Sequence, residues 1–266
     1  MKRILTVFLA TFFLVSCSTV PLTGRRQLDL IPSSQILTMS FSQYDQVLAQ
    51  EKIVTNTDEA RTVKSVGNNI AVAVESFLKQ NGYQEEAGRF EWEFNLIQGD
   101  QVNAWCMPGG KVAFYTGIMP ICKDDAGVAV VMGHEVAHAV AEHGSERMSQ
   151  GLVQQLGGVA LAVALSEKPQ QTQQLFMTAY GLGSTVGYML PHSRKQESEA
   201  DKLGLIFMAI AGYDPREAPQ FWERMASQSG GAAPPEFMST HPSHSTRINN
   251  LNRYMKEALK YYNPSK

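Results

Sequence analysis

Apolar residues along this chain keep two different periods, and the change between them outlines the fold. From Ile36 to Leu48, and again from Asp58 to Leu78, they recur every three or four residues, the spacing that gives a helix one apolar face. Asn56 to Glu59 has the capping-box spacing of a helix start, and Asn81-Gly82 closes the second helix. Between Phe90 and Thr116 the period drops to two. Phe90, Trp92, Phe94 and Leu96 alternate with polar neighbours, and β-type runs follow at Val102–Met107 and Val112–Tyr115, with Pro108-Gly109-Gly110 turning between them. A small sheet is predicted here.

Beyond Thr116 the pattern is helical almost to the end. A helix is predicted from Asp125 to His143, capped by Asp124 and stopped at Gly144. Leu152 to Leu165 reads as a buried or membrane-facing helix, too short to be a bilayer crossing. The next helix, Thr172 to Leu190, carries Gly183 and Gly187 at a spacing that permits close helix contact, and Pro191 ends it. Ser193 to Gln196 repeats the capping-box spacing and starts a helix running to Ala211. Asp214-Pro215 starts another, Gly230 to Pro242 is a Gly/Ala/Pro-rich loop, and Ser245 to Tyr261 is the last helix. The fold class is therefore α+β, mostly helical.

At 266 residues, 44% of them apolar and 18% charged, the chain has enough material for one core and lies outside the range of disordered sequences. A formal charge of -2 leaves no basic face for nucleic acid, which is excluded as a partner. Met1-Lys2-Arg3 followed by the apolar run Ile4 to Val15 reads as an export signal. Leu14-Val15-Ser16-Cys17 resembles the lipobox of bacterial lipoproteins. That resemblance implies cleavage before Cys17, lipid on its thiol and, with Ser18 in place of an Asp, sorting to the periplasmic face of the outer membrane. Three segments are expected: a signal peptide over 1–16, a lipidated N-terminus with tether and first helix over 17–57, and the main domain over 58–266. Arg25-Arg26 suits either a tether beside anionic headgroups or a solvated linker. Cys106 and Cys122 are an even pair in a disulfide-permissive compartment, so bonded and separate buried thiols are both open.

The chemistry is concentrated in His134-Glu135-Val136-Ala137-His138. Successive helical residues are about 100° apart, so His134 and His138 share a face and can share a metal ion. Glu135 points aside, where it can take a proton from an attacking water without binding the metal. Some sixty residues on, Glu197 and Asp201 are again four apart. A catalytic zinc needs three protein ligands and one open position, and two histidines with one glutamate is a recognised set for peptide hydrolysis. Asp201 can then accept the free ring N–H of a ligand histidine. Without a metal, Glu197 and Asp201 would be a solvated acidic face beside Arg194 or Lys195.

Further strings stand in order along the chain: Leu22-Thr23-Gly24-Arg25-Arg26-Gln27, Asn103-Ala104 with Met107 to Lys111, Gly133 to His138, Ser193-Arg194 with Glu197 and Ala200-Asp201, and His241-Pro242 with Arg247-Ile248. In these the chain resembles the gluzincin zinc metallopeptidases that include the CAAX prenyl protease and HtpX, and among them a branch of bacterial outer-membrane lipoproteins. The resemblance implies a zincin fold with a small mixed sheet whose edge strand borders the active-site cleft. It implies one Zn2+ per chain on His134, His138 and Glu197, with Glu135 as base and Asp201 behind the ligands. Asn103 and Ala104 would lie on that edge strand, where an extended polypeptide substrate can pair by its backbone.

His241 and Arg247 invite two readings. One or both stabilise the oxyanion formed during hydrolysis; alternatively His241 itself fills the open zinc position and holds the enzyme inactive. Family analogy points to quality control of envelope or outer-membrane proteins. Two rivals stand beside it: a non-catalytic envelope chaperone or assembly factor that keeps zinc for stability, and a zinc hydrolase of cell-wall peptides.

Overall fold

The computed structural model describes residues 17–228, 236–241 and 247–264. The expected signal at 1–16 and the side chain of Cys17, the expected lipidation site, lie outside the described residues, as do 229–235 and 242–246. In chain order the elements are β1 (Cys17–Thr19), β2 (Arg26–Leu28), α1 (Ser33–Gln50), β3 (Ile53–Val54), α2 (Asp58–Gln80) and the short α3 (Gln84–Ala87). Strands β4 (Glu93–Ile97), β5 (Ala104–Met107) and β6 (Lys111–Tyr115) follow, then α4 (Met119–Cys122), α5 (Asp125–Val140), α6 (His143–Ala164) and α7 (Gln170–Ser184). The chain ends with α8 (Leu190–Ile210), α9 (Glu217–Ser227), α10 (Glu236–Thr240) and α11 (Arg247–Ala258). The mostly helical α+β expectation holds. The chain divides into two compact units, one of residues up to Ile36 with Glu142–Gln196, the other of Leu37–Ala141 with Glu197–Lys266.

In the larger unit the four-stranded sheet has the order β3-β4-β6-β5, with β4 and β6 parallel and the other pairs antiparallel. It is mixed, and β5 is an edge strand. Gly109 and Gly110, at φ +85° and +86°, make the β5–β6 turn in the left-handed region where a side chain would be strained. Helix α2 packs an apolar stripe, among it Val63, Val66, Ile70 and Val74, on β4 and α5. Its cap is Thr57, whose hydroxyl accepts the Ala60 N–H at 3.2 Å, so the expected Asn56–Glu59 box is displaced by one residue. Helix α5 starts as expected, with the Asp124 carboxylate accepting the Gly127 N–H at 3.0 Å. Every residue from Gly127 to Val140 is buried. An apolar helix buried all round gives its few polar residues no water, so each needs a partner.

Several elements differ from the sequence expectation: the predicted loop 230–242 holds α10, the helix expected over 152–165 is the second part of α6 with none of its residues from Leu152 to Ala164 buried, and three helix signals fall elsewhere. Helix α5 stops at Val140, because Glu142 at φ 55° breaks it, and Gly144 lies inside α6. Pro191 does not end a helix and Ser193–Gln196 does not start one: both lie inside α8. The wide turn Thr185–Met189 joins α7 to α8, and a π-type turn relaxes the i to i−4 ladder that a proline disrupts. Gly183 and Gly187 face open space, whereas the close approach in this region is at Gly157, against Tyr180.

The smaller unit begins with an antiparallel pair, β1 on β2. Arg25, between them, grips Glu146 of α6 through two hydrogen bonds of 2.9 and 2.8 Å. Gln196 donates a third to the same carboxylate at 2.7 Å.

Cys106 and Cys122 are free thiols, one of the two arrangements the sequence left open. Cys106 is half-buried on the edge strand and Cys122 is buried at the end of α4, and loss of solvent around the thiols pushes both upward in pKa.

Candidate metal centre

Two helices deliver the donors. On α5, four-residue spacing puts the His134 and His138 Nε2 atoms 3.1 Å apart. On α8, Glu197 brings one carboxylate oxygen 3.3 Å from His134 Nε2 and the other 3.4 Å from His138 Nε2. The fourth donor comes from just beyond α10: His241 Nδ1 lies 3.3 Å from His134 Nε2 and 3.1 Å from each Glu197 oxygen. All four residues are buried and their donor atoms lie within 4.8 Å of one another.

Such a convergence needs a cation at its centre. Donors about 2.0–2.1 Å from a tetrahedral zinc stand about 3.3–3.4 Å apart along each edge, which the separations above approximate. Imidazole nitrogen with one carboxylate oxygen is a zinc donor set. The site is therefore a zinc site.

The helices come this close because Gly133 and Gly204 meet at their crossing. A Cβ on Gly133 would lie 2.8 Å from the Gly204 carbonyl oxygen, and one on Gly204 would lie 2.9 Å from the His134 nitrogen. Neither glycine stood out in the sequence as a functional residue, although Gly133 immediately precedes the histidine motif.

Behind the donors the structure brings Asp201 to His134, Oδ1 to Nδ1, at 3.0 Å, the orienting contact a metal-ligating imidazole uses. Burial and the Arg247 charge push the His134 imidazole down, but hydrogen bonds to Asp201 and Glu197 outweigh them and raise it to about 9. For Glu197, burial acts upward, while the charge of His138 and hydrogen bonds from the three histidines hold it far below the usual carboxylate range.

Arg247 is placed at Asp201, donating to Oδ1 at 2.5 Å, and it also donates to the His241 carbonyl at 3.4 Å. Its guanidinium lies 3.5 Å from the ring centroid of Trp222. Trp222 was not legible as a site residue; it is one apolar position on the face of α9. Arg247 thus ties the His241 backbone to the carboxylate behind His134, and its guanidinium also lies 3.5 Å from Glu197 Oε2.

Glu135 is buried, and its Oε1 has no hydrogen-bond partner. That oxygen lies 3.3 Å from His241 Nε2, near enough for charge attraction but outside hydrogen-bond geometry. A buried carboxylate oxygen that accepts no hydrogen bond is costly unless it has work to do there.

Asn103 and Ala104 are both buried at the start of β5. The Asn103 side chain accepts the Ala104 N–H at 2.9 Å, and its carbonyl accepts the Tyr115 N–H at 3.1 Å. Strand β5 packs beside α5, and among the described residues no strand pairs with its outer edge.

Comparison with known proteins places this geometry. The pattern of peptidase family M48 matches residues 59–255, which include every donor and all of the surrounding side chains just described. Mitochondrial metalloendopeptidase OMA1 of Schizosaccharomyces pombe is 31% identical over 255 residues, 93% of this chain and 69% of that protein. Mitochondrial metalloendopeptidase OMA1 of Arabidopsis thaliana is 40% identical over 173 residues, 64% of this chain and 33% of that protein. The beta-barrel assembly-enhancing protease of Escherichia coli is 28% identical over 165 residues, 59% of this chain and 33% of that protein. The chain thus spans two thirds of the first relative's length and a third of the other two.

Proposed function

The chain belongs to peptidase family M48, and from that premise we propose that it is a zinc endopeptidase of the bacterial envelope, lipid-anchored through Cys17 and cutting misfolded or unassembled polypeptides. The observation that carries the peptidase reading is Glu135, buried beside the donor cluster with one carboxylate oxygen that accepts no hydrogen bond. Zinc held there supplies a Lewis acid that polarises the scissile carbonyl and makes water acidic. Glu135 takes the proton of the attacking water and returns it to the leaving amine. Asp201 fixes the His134 ring through Nδ1, and Arg247 fixes Asp201. The open edge of β5 offers backbone groups to an extended substrate, which suits cleavage of many sequences.

His241 fits the inhibitory role better than the oxyanion role, because its Nδ1 stands among the donors. In this closed form it must leave before a substrate carbonyl can enter. The same closure favours the second reading, a non-catalytic zinc chaperone, since structural zinc sites have four protein ligands. A buried Glu135 oxygen without a hydrogen bond has no purpose in such a site.

The anchor reading rests on the positive start, the apolar run and Leu14-Val15-Ser16-Cys17. A bacterial relative named as a beta-barrel assembly-enhancing protease favours the bacterial setting, while the OMA1 relatives are named as mitochondrial. The deciding experiment is hydrolysis of casein by the wild type and by Glu135→Gln at equal zinc content. Cleavage by the wild type alone supports the peptidase. If wild type and His241→Ala are both inert, the chaperone reading replaces it. Metabolic labelling with palmitate tests the anchor, which predicts incorporation by the wild type and none by Cys17→Ser.

A further inference from the structure

The smaller unit carries two helices that bury very little. No residue of α7 is buried, and the buried residues of α6 all lie between His143 and Gln150. Past that point the two pack along a narrow seam. The Tyr180 hydroxyl donates to the Gln154 carbonyl at 2.9 Å, the Gln154 amide donates to Ser184 Oγ at 2.7 Å, and Gly157 leaves room for the Tyr180 ring.

Away from the seam the faces are apolar and in the open. On α6 Leu156, Val159 and Val163 follow one another at three and four residues, one side of a helix. On α7 and the turn after it, Leu175, Leu182 and Val186 do the same at seven and four. These six side chains are 57–69% exposed. Between Met148 and Pro191 only Glu167 and Lys168 are charged, and both lie in the turn between the helices. A helix surface meant for water intersperses charges with its apolar residues, so this face is matched to an apolar phase.

Which phase follows from the N-terminus. The apolar run Ile4 to Val15 leads directly into β1, and Arg25, beyond β1, is tied to Glu146 at the base of α6. One compact unit therefore holds both the entry of the apolar run and the apolar hairpin. We propose that the outward face of α6–α7 lies flat on a lipid bilayer, at the boundary of headgroups and acyl chains. A shallow seat agrees with the finding that no described helix is long and apolar enough to cross a membrane. Because the face carries no Lys or Arg, apolar burial drives the contact, which needs no anionic lipid and resists salt. The inference is independent of the peptidase reading and of lipid on Cys17.

The test uses the chain from residue 17 onward with Cys17→Ser, so that neither lipid nor the apolar run holds it, and vesicles of phosphatidylcholine. Val159→Trp is added in one variant, and Val159→Glu with Val163→Glu in another; circular dichroism melts check that both fold. The expected results are quenching of the new tryptophan by brominated lipid and a drop of about tenfold in flotation for the Glu pair, both unchanged by high salt. A tryptophan that stays unquenched overturns the proposal. If it stays unquenched while the Glu pair abolishes self-association in sedimentation, the face belongs to a second copy of the chain.

Discussion

Gly133 and Gly204 touch backbone to backbone, and this contact sets the distance between the helix that carries the histidines and the helix that carries Glu197. The room for a methyl group is missing on both sides, because the nearest atoms are main-chain atoms that cannot swing away. Gly204→Ala should therefore cost about 1–3 kcal/mol of stability. It should also weaken zinc retention, since Glu197 and Asp201 ride on the same helix. Thermal unfolding with and without zinc checks both; an unchanged melting temperature and zinc affinity would remove the contact from the account.

Glu135→Gln keeps the shape of the side chain and removes its basicity. Turnover on casein should fall by about 10²–10⁴-fold, with zinc content unchanged because Glu135 is not among the donors. Loss of zinc in this variant would instead make Glu135 part of the metal shell.

His241→Ala opens the fourth position. With Nδ1 placed among the donors, the expected outcome is a several-fold rise in casein cleavage and only a modest loss of zinc affinity. A fall in turnover at full zinc loading would assign His241 to the reaction itself.

The metal-free protein should respond to pH through His134. Its imidazole is raised from 6.5 to about 9 in the fold, so the stability contributed by its protonated form is complete below about pH 6.5 and lost as pH rises through about 9. Zinc must displace that proton, so zinc affinity should climb across the same window. Melting temperatures of apo and zinc-loaded protein from pH 6 to 10 check the sign, and Asp201→Asn should move the window downward.

Arg25→Ala leaves Glu146, whose side chain is 1% exposed, without its counter-charge. The expected loss is about 3 kcal/mol, at the low end for a buried pair because Arg25 itself keeps 22% exposure. Denaturant unfolding measures it, and a loss below about 0.5 kcal/mol would mark the pair as a surface contact.

Local periodicity determined a good deal here. The four-residue spacing of His134 and His138, the Asp124 cap and the strands around Phe94 and Phe114 are properties of short stretches, and the fold keeps them. Helix ends were less legible. Gly144 and Ser193 are stop and start signals only when the backbone around them leaves the helix, and here Glu142 takes the left-handed turn while α8 runs straight through Ser193. The sequence by itself determined which residue types could hold zinc and which glutamate could serve as a base, because those follow from chemistry and helical spacing. Only the tertiary structure decided that His241 joins the donors, that Arg247 stands behind Asp201 on Trp222, and that Gly133 receives Gly204. Each of these joins residues far apart in the chain, and long-range contact depends on packing that no local pattern contains.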